Sequence, residues 1–271
     1  MKTSVEAVCR FFQHTRQAYY QRQHRTFKTF IEEQLVIDEV RLIREKQPKV
    51  GGRKLILDLQ DKGFQLGRDR LFDILRKNHM LVRRKKRGPL TTYSKHWLHK
   101  YTNLIKGVEL TGPNQVFVSD ITYLRIKGGF CYLSLLTDAW SRKIVGWDVS
   151  SSLCVKGSIR ALKMAVRNVP HPEGLIHHSD RGIQYCCQDY IKILKENHVL
   201  ISMTEENHCY ENAIAERVNG ILKDEFLLNE TLPSFNVAKE LTRESIYIYN
   251  HKRRHMSLNY KIPAEVHQIF Q

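Results

Sequence analysis

Nothing in the sequence approaches the roughly 18 uncharged apolar residues that a membrane-spanning helix requires. The opening residues, Met1-Lys2-Thr3-Ser4-Val5-Glu6, lack the apolar segment of a secretory leader, so a cytoplasmic protein is expected. No Gly-x-x-x-x-Gly-Lys-Ser/Thr loop occurs, which removes an ATP-driven partner function. The six cysteines, Cys9, Cys131, Cys154, Cys186, Cys187 and Cys209, contain no Cys-x-x-Cys pair and outline no disulfide framework. Structural thiols in a reducing compartment are expected. A zinc site from Cys186, Cys187, His208 and Cys209 lacks the closely spaced ligand pairs of structural zinc.

What is present suits one large domain or two modest ones: 271 residues, 42% hydrophobic and 10% aromatic. The charge is uneven. Residues 1–106 hold 25 Lys and Arg against 10 Asp and Glu; residues 107–271 hold 19 against 18. One half is suited to a polyanion, with nucleic acid favoured. A membrane surface would ask for a long basic amphipathic segment with an aromatic face, which the sequence does not show.

Residues 1–30 read as a basic helix and 31–47 as a second, with Leu35, Val36, Val40, Leu42 and Ile43 at near-helical spacing. Gln47-Pro48 and Gly51-Gly52 stop it. Two short helices follow at 53–62 and 67–78, broken at Lys62-Gly63-Phe64. The second is rich in Arg68, Arg70, Arg76 and Lys77, so about 53–78 is expected to form a DNA-binding helix-turn-helix. Arg83-Arg84-Lys85-Lys86-Arg87 cannot pack and reads as a basic arm on phosphates. The expected domains are 1–87, a linker at 88–112, and a core at 113–271.

From residue 115 the pattern turns to strands. Val116–Leu124, Phe130–Leu136 and Ile144–Val149 are joined by short turns, an economical antiparallel meander. A helix at 155–169, a strand at 175–179, a helix at 188–197, a strand at 199–203 and helices at 212–226 and 236–250 complete the order. The expected class is α/β: a ribonuclease-H-like core preceded by a small all-α region.

Three carboxylates stand out. Asp120 interrupts an apolar strand between Val118 and Ile121, where a charge is costly unless neutralised. Asp180 follows an apolar strand and precedes Arg181-Gly182, at a strand end that can face a cleft. Glu216 shares a helix face with Asn212, Gly220 and Lys223, leaving room for a DNA backbone beside it. Phosphodiester chemistry on two hard divalent ions calls for such oxygen ligands rather than Cys or His. Asp138, Asp148 and Asp189 read as turn, surface and helix-start acids, and Glu205, Glu206 and Glu211 as a solvated loop cluster.

Fifty-nine residues separate Asp120 from Asp180, and 35 separate Asp180 from Glu216. This spacing resembles the D,D(35)E pattern of retroviral integrases and related transposases. Asp120-Ile121-Thr122-Tyr123, Asp138-Ala139-Trp140-Ser141-Arg142 and His178-Ser179-Asp180-Arg181-Gly182-Ile183-Gln184-Tyr185 resemble the second-frame transposases of a large bacterial insertion-sequence family. So do Cys209-Tyr210-Glu211-Asn212-Ala213 and Tyr249-Asn250 followed by Arg253-Arg254-His255. The chain departs from that pattern at Phe117, at Glu211 and at Arg217-Val218, none of them a proposed ligand. The zinc module of retroviral integrases is not reproduced, since His96 and His99 are followed by no Cys-x-x-Cys.

The resemblance implies a transposase in which Asp120, Asp180 and Glu216 hold two Mg²⁺ or Mn²⁺ ions. Water then frees a 3′-hydroxyl at the element's end, and that hydroxyl attacks a second phosphodiester. It further implies a circular intermediate before integration. Lys223 is expected to hold DNA, His178 to position water or substrate, and Gly182 to allow a tight turn after Asp180. Asn212 joins them as a supporting residue. The expected partners are element ends and target DNA, other copies of the chain, and an upstream-frame partner or fusion. The chain itself shows no heptad run of a zipper. The rival classes are a nuclease of the same fold, which cuts without joining, and a non-catalytic DNA-binding regulator. An acid inside the first strand argues against the second.

Overall fold

The computed structural model describes residues 4–82, 98–205 and 212–268. They group into two compact units, one of residues up to 46 and from 50 to 82, and one of residues 47–49 and everything from 98 onward. Each is described by itself. The basic run at 83–87 and the first part of the expected linker lie outside the described residues.

The first unit contains α1 (Val5–Phe11), α2 (Arg16–Lys46), α3 (Gly52–Asp61) and α4 (Arg68–Lys77). The two helices expected over 1–30 and 31–47 are divided elsewhere. No Gly or Pro interrupts residues 13–47, so α2 runs unbroken through position 30. The break falls at Phe12–Thr15, where Gln13 takes φ 54° and the Thr15 hydroxyl accepts from the Ala18 amide at 3.0 Å. Val36, Ile37 and Val40 of α2 bury against Leu55 and Leu59 of α3 and Leu71, Ile74 and Leu75 of α4. Each such side chain contributes roughly 1.5–3 kcal/mol when fully buried. Gly63, at φ 88°, makes the left-handed turn between α3 and α4.

The second unit is built on a five-stranded sheet in the order β3-β2-β1-β4-β5. Its strands are β1 (Val116–Ile126), β2 (Gly129–Asp138), β3 (Ile144–Ser150), β4 (Ile176–Ser179) and β5 (Leu200–Met203). The first three form the antiparallel meander; β4 and β5 add parallel to β1. Between and after them lie α5 (Val155–Arg167), α6 (Ile183–Cys186), α7 (Gln188–Glu196), α8 (Ala213–Glu225), α9 (Phe235–His251) and α10 (Pro263–Gln268). The short α6 and α10 are helices of this unit that the sequence pattern did not suggest.

Helices cover both faces of the sheet. On one, Leu133, Leu135 and Val149 pack with Val218, Ile221 and Leu222 of α8 and Ile246 and Tyr249 of α9. On the other, Phe117 and Leu136 pack with Ala161, Leu162 and Ala165 of α5 and Tyr190 and Leu194 of α7. A Cβ on Gly146 would lie 2.2 Å from the Ala161 carbonyl oxygen, so glycine there sets how closely α5 rests on β3. Central β1 is buried on both faces from Val116 to Ser119, which explains its continuous apolar run. Among the described residues no helix is long and apolar enough to cross a membrane.

Candidate active site

The parallel pairing of β1 with β4 ends at Ser119 opposite Ser179. Asp120 is the next residue of β1, which runs on to Ile126 paired with β2, and Asp180 is the residue after β4, so both carboxylates lie where the parallel pairing stops, at the carboxyl-terminal edge of β4. In open α/β sheets that edge is where ligands bind. Both side chains are only partly buried, unlike their neighbours Val118, Ser119 and Ser179.

The third acid arrives on α8. Asn212 caps that helix and donates from Nδ2 to the Ser119 carbonyl at 3.0 Å, fixing the helix start beside the residue before Asp120. Two turns on, Asn219 Nδ2 donates to Asp120 Oδ2 at 2.7 Å. Glu216 lies between these anchors, in the first turn and exposed. The charge of Glu216 is felt at Asp120.

The electrostatics follow. Burial and then the neighbouring Asp180 push the Asp120 carboxyl up, and Glu216 adds to this. Hydrogen bonds from Asn219 and the Ile121 amide (2.9 Å to Oδ1) pull the other way, and the balance sits at about 7. Asp180 Oδ1 accepts from the Gly182 amide at 3.0 Å. Lys223, half-buried on α8, is lowered by burial and held up in part by the charge of Asp120, so its ammonium faces the same region. Among the described residues no three Asp, Glu, His or Cys side chains converge tightly on one ion position. The acids share an electric field, not a closed cage.

Other expected residues are placed differently. Gly182 has φ −65°, which any residue adopts, so the tight-turn reading is corrected. Its use is space: a Cβ would lie 3.0 Å from Asp180 Oδ1. His178 is fully buried in β4, with Nδ1 2.8 Å from the Ser202 hydroxyl of β5. Arg68, Arg70, Arg76 and Lys77 do not share a face. Arg70 (2.6 Å) and Lys77 (3.7 Å) lean back on Glu33 of α2, whereas Arg68 and Arg76 pair with Asp69 and Asp73 beside them. Cys209 and His208 lie outside the described residues; burial pushes the Cys186 thiol up to about 11, away from the thiolate a zinc ligand needs.

Sequence reasoning missed two groups. Asn219 carried a signal, since it lies three residues after Glu216 and so near it on the helix surface. The other is a buried polar cluster behind the acids. Ser119 donates to the Tyr185 hydroxyl at 3.0 Å, and Tyr190 meets His177 Nε2 at 2.8 Å. Burial drives His177 down to about 3, so it is neutral, and raises Tyr185, on which Tyr190, Asp120 and Asp180 also act. Two further acids are structural. Asp138 is fully buried; burial alone would raise it, but hydrogen bonds from His267, Ser141 and the Asn114 amide hold it low. Asp148 is gripped by Arg160 through two bonds of 2.8 and 2.7 Å.

The integrase core domain family matches residues 111–209, and a second family of the same description matches 197–263. The chain is 35% identical over 262 residues to the "Insertion element IS600 uncharacterized 31 kDa protein" of Shigella sonnei, covering 95% of this chain and 96% of that one. It is 30% identical over 263 residues to "Transposase InsF for insertion sequence IS3A" of Escherichia coli (strain K12), covering 93% and 90%. Among solved structures, the HTLV-2 integrase catalytic core domain in complex with magnesium aligns at 18% identity and a TM-score of 0.46, covering 58% of this chain and 98% of that one.

Proposed function

The chain belongs to the family of insertion-sequence transposases that carry the integrase core, and we propose that Asp120, Asp180 and Glu216 are its catalytic carboxylates, holding two Mg²⁺ or Mn²⁺ ions. As a member it is a DNA transposase, a polynucleotidyl transferase acting on element DNA. The finer reading concerns which atoms do the work.

One observation carries it. Asp120 lies where the parallel β1–β4 pairing stops, and its carboxyl is raised to about 7 by burial first and then by the charges of Asp180 and Glu216, with hydrogen bonds from Asn219 and the Ile121 amide offsetting only part of this. Hard oxygen donors with surplus negative charge fit a divalent cation such as Mg²⁺. The chemistry such ions supply is Lewis acidity, with a hydroxyl deprotonated near neutral pH and a leaving oxygen stabilised.

The chain's own residues do the rest. Asn219 and the Ile121 amide fix the two oxygens of Asp120, and the Gly182 amide fixes one oxygen of Asp180. Exposed Glu216 stands on the open side, where DNA approaches. Lys223 holds a phosphate beside it. A freed 3′-hydroxyl attacks the second phosphodiester, the leaving 3′-oxygen takes a proton, and no enzyme-bound covalent intermediate forms. Arg68 and Arg76, the basic run at 83–87 and an upstream-frame partner or fusion complete the DNA grip.

The test uses Asp120→Asn, Asp180→Asn and Glu216→Gln with labelled element ends and Mg²⁺. Joining is lost in each while DNA binding is retained. Near-normal joining by any one of them removes that residue from the site. Cut ends without joined product from the parent chain would identify a nuclease, and no product at all a regulator.

A further inference from the structure

Helix α2 has two apolar faces. Val36, Val40 and Ile43 turn inward to the α3–α4 cluster. At about 100° per residue, Tyr20, Phe27, Ile31, Leu35 and Leu42 fall within about 80° of one another on the opposite side. All five are solvent-exposed, from 43% at Ile31 to 64% at Phe27. His24 and Asp38 share the stripe, which hides its repeat from a search for apolar heptads. A surface hollow bounded by Tyr19, Tyr20, Phe27 and Phe30 lies along its first half. A helix half that offers such residues to water gains little from intrinsic propensity and is stabilised by covering the stripe.

We propose that this stripe is the interface with a second copy of the chain, packed antiparallel about a dyad through Ile31. The sequence is self-complementary around that residue. Tyr20 and Leu42 lie eleven residues either side of it, His24 and Asp38 seven, and Phe27 and Leu35 four. A dyad at Ile31 therefore sets each aromatic of one copy against a leucine of the other and His24 against Asp38. Such reciprocal pairing is what a twofold interface demands. The paired length, Tyr20 to Leu42, is about 34 Å at 1.5 Å per residue.

Charge selects both the direction and the partner. Residues 16–30 carry Arg16, Arg22, Arg25 and Lys28 and no acid. Residues 31–46 carry five acids and three bases. Of those acids Glu33 and Glu39 are bound inward to Arg70 and Lys62, leaving Glu32, Asp38 and Glu45 exposed. An antiparallel pair lays the basic half of each copy on the acidic half of the other; a parallel pair would face four cations with four. DNA is a poor occupant of the whole stripe, because a phosphate backbone following it would meet Glu32, Asp38 and Glu45. The interface is independent of the carboxylate site.

Sedimentation of the full chain without DNA, across a micromolar concentration series, tests it. A reversible dimer is expected, and Ile31→Arg, which sets two guanidinium groups across the dyad, weakens it by at least about tenfold. Circular dichroism of this exposed-site variant is unchanged. Direction is read by cysteine cross-linking in a Cys154→Ser background, compared with that background alone. Ile31→Cys links to itself, and Tyr20→Cys with Leu42→Cys links only as the double variant. A monomer at every concentration, a dimer indifferent to Ile31→Arg, self-linking of Tyr20→Cys alone, or DNA shielding the Ile31→Cys thiol on a monomeric chain each overturns the proposal.

Discussion

The two units of this chain treat charge in opposite ways. The helical unit belongs to the basic half of the sequence, yet several of its cations are spent internally: Arg70 and Lys77 on Glu33, Lys62 on Glu39, Arg76 on Asp73. Exposed pairs of this kind contribute roughly 0–1 kcal/mol and leave the net positive field in place. The sheet unit is nearly neutral in sum but concentrates three acids at one strand edge, with few groups to offset them. Attraction of a polyanion needs many cations loosely distributed; metal-dependent chemistry needs a few carboxylates held in a fixed, uncompensated arrangement. Net charge reports the first and is silent on the second.

The sharpest way to break this contrast is Asp120→Asn. Joining should fall by roughly a thousandfold or more while DNA affinity is unchanged. Equal loss of affinity, measured by a mobility shift, would show that the acids serve binding instead.

Next comes the brace under the site. Arg253, 3% exposed, makes two bonds to Glu225 at the end of α8 (2.8 and 2.9 Å) and lies over the Tyr249 ring. Arg253→Met removes two charge-assisted hydrogen bonds from the partly buried Glu225 carboxylate and should cost roughly 1.5–3 kcal/mol by chemical denaturation. A loss below about 1 kcal/mol would mean that α8 is held by its apolar face alone.

Asn219→Ala removes a bond to Asp120 without removing any of the three proposed metal ligands. Joining should drop roughly 10–100-fold, with a higher Mg²⁺ requirement and unaltered DNA binding. A change in affinity rather than in the Mg²⁺ requirement would make Asn219 a DNA contact.

The pH behaviour of the metal-free protein is smaller. A carboxyl raised from 3.8 to about 7 in the folded state favours the protonated form. Its stabilising contribution is present below pH 4 and is lost as pH rises toward 7 and above, at most a few kcal/mol at about 1.4 per unit. The metal-free melting temperature should therefore fall between pH 5 and 8, recover with Mg²⁺, and show a weaker dependence in Asp120→Asn. Equal slopes in both proteins would refute the assignment.

The smallest effect concerns the helical unit. Arg68→Ala with Arg76→Ala should reduce the salt slope of DNA binding by about two. Arg70→Ala, whose partner is Glu33, should reduce it less; the reverse order would show that α4 presents its other face to DNA.

Much of the fold was legible because its signals are local. Alternation marked the meander, and glycine and proline marked most breaks. The division of α2 was misjudged because a change of composition at residue 30 resembles a boundary, whereas the backbone stops only where a cap and a left-handed residue end it. Gly182 was assigned a turn because glycine usually means one, but the constraint there is the approach of Asp180.

The three acids were nameable from sequence because a carboxylate inside an apolar strand, one at a strand end and one on a small-residue helix face are each locally anomalous. Their meeting was not readable in that way. It depends on β4 inserting parallel beside β1, so that residues 60 positions apart come to lie where that pairing stops, and on Asn212 and Asn219 pinning α8 across Asp120. The sequence alone determined that carboxylates, basic helices and an α/β core exist here, since those follow from residue type and spacing. Only the tertiary structure decided that Asp120 carries a carboxyl poised near 7, that Asn219 rather than His178 touches it, and that Arg70 and Lys77, half the basic residues of α4, are turned inward. Each of those depends on burial and on partners far away in the chain, and neither is encoded in a local window.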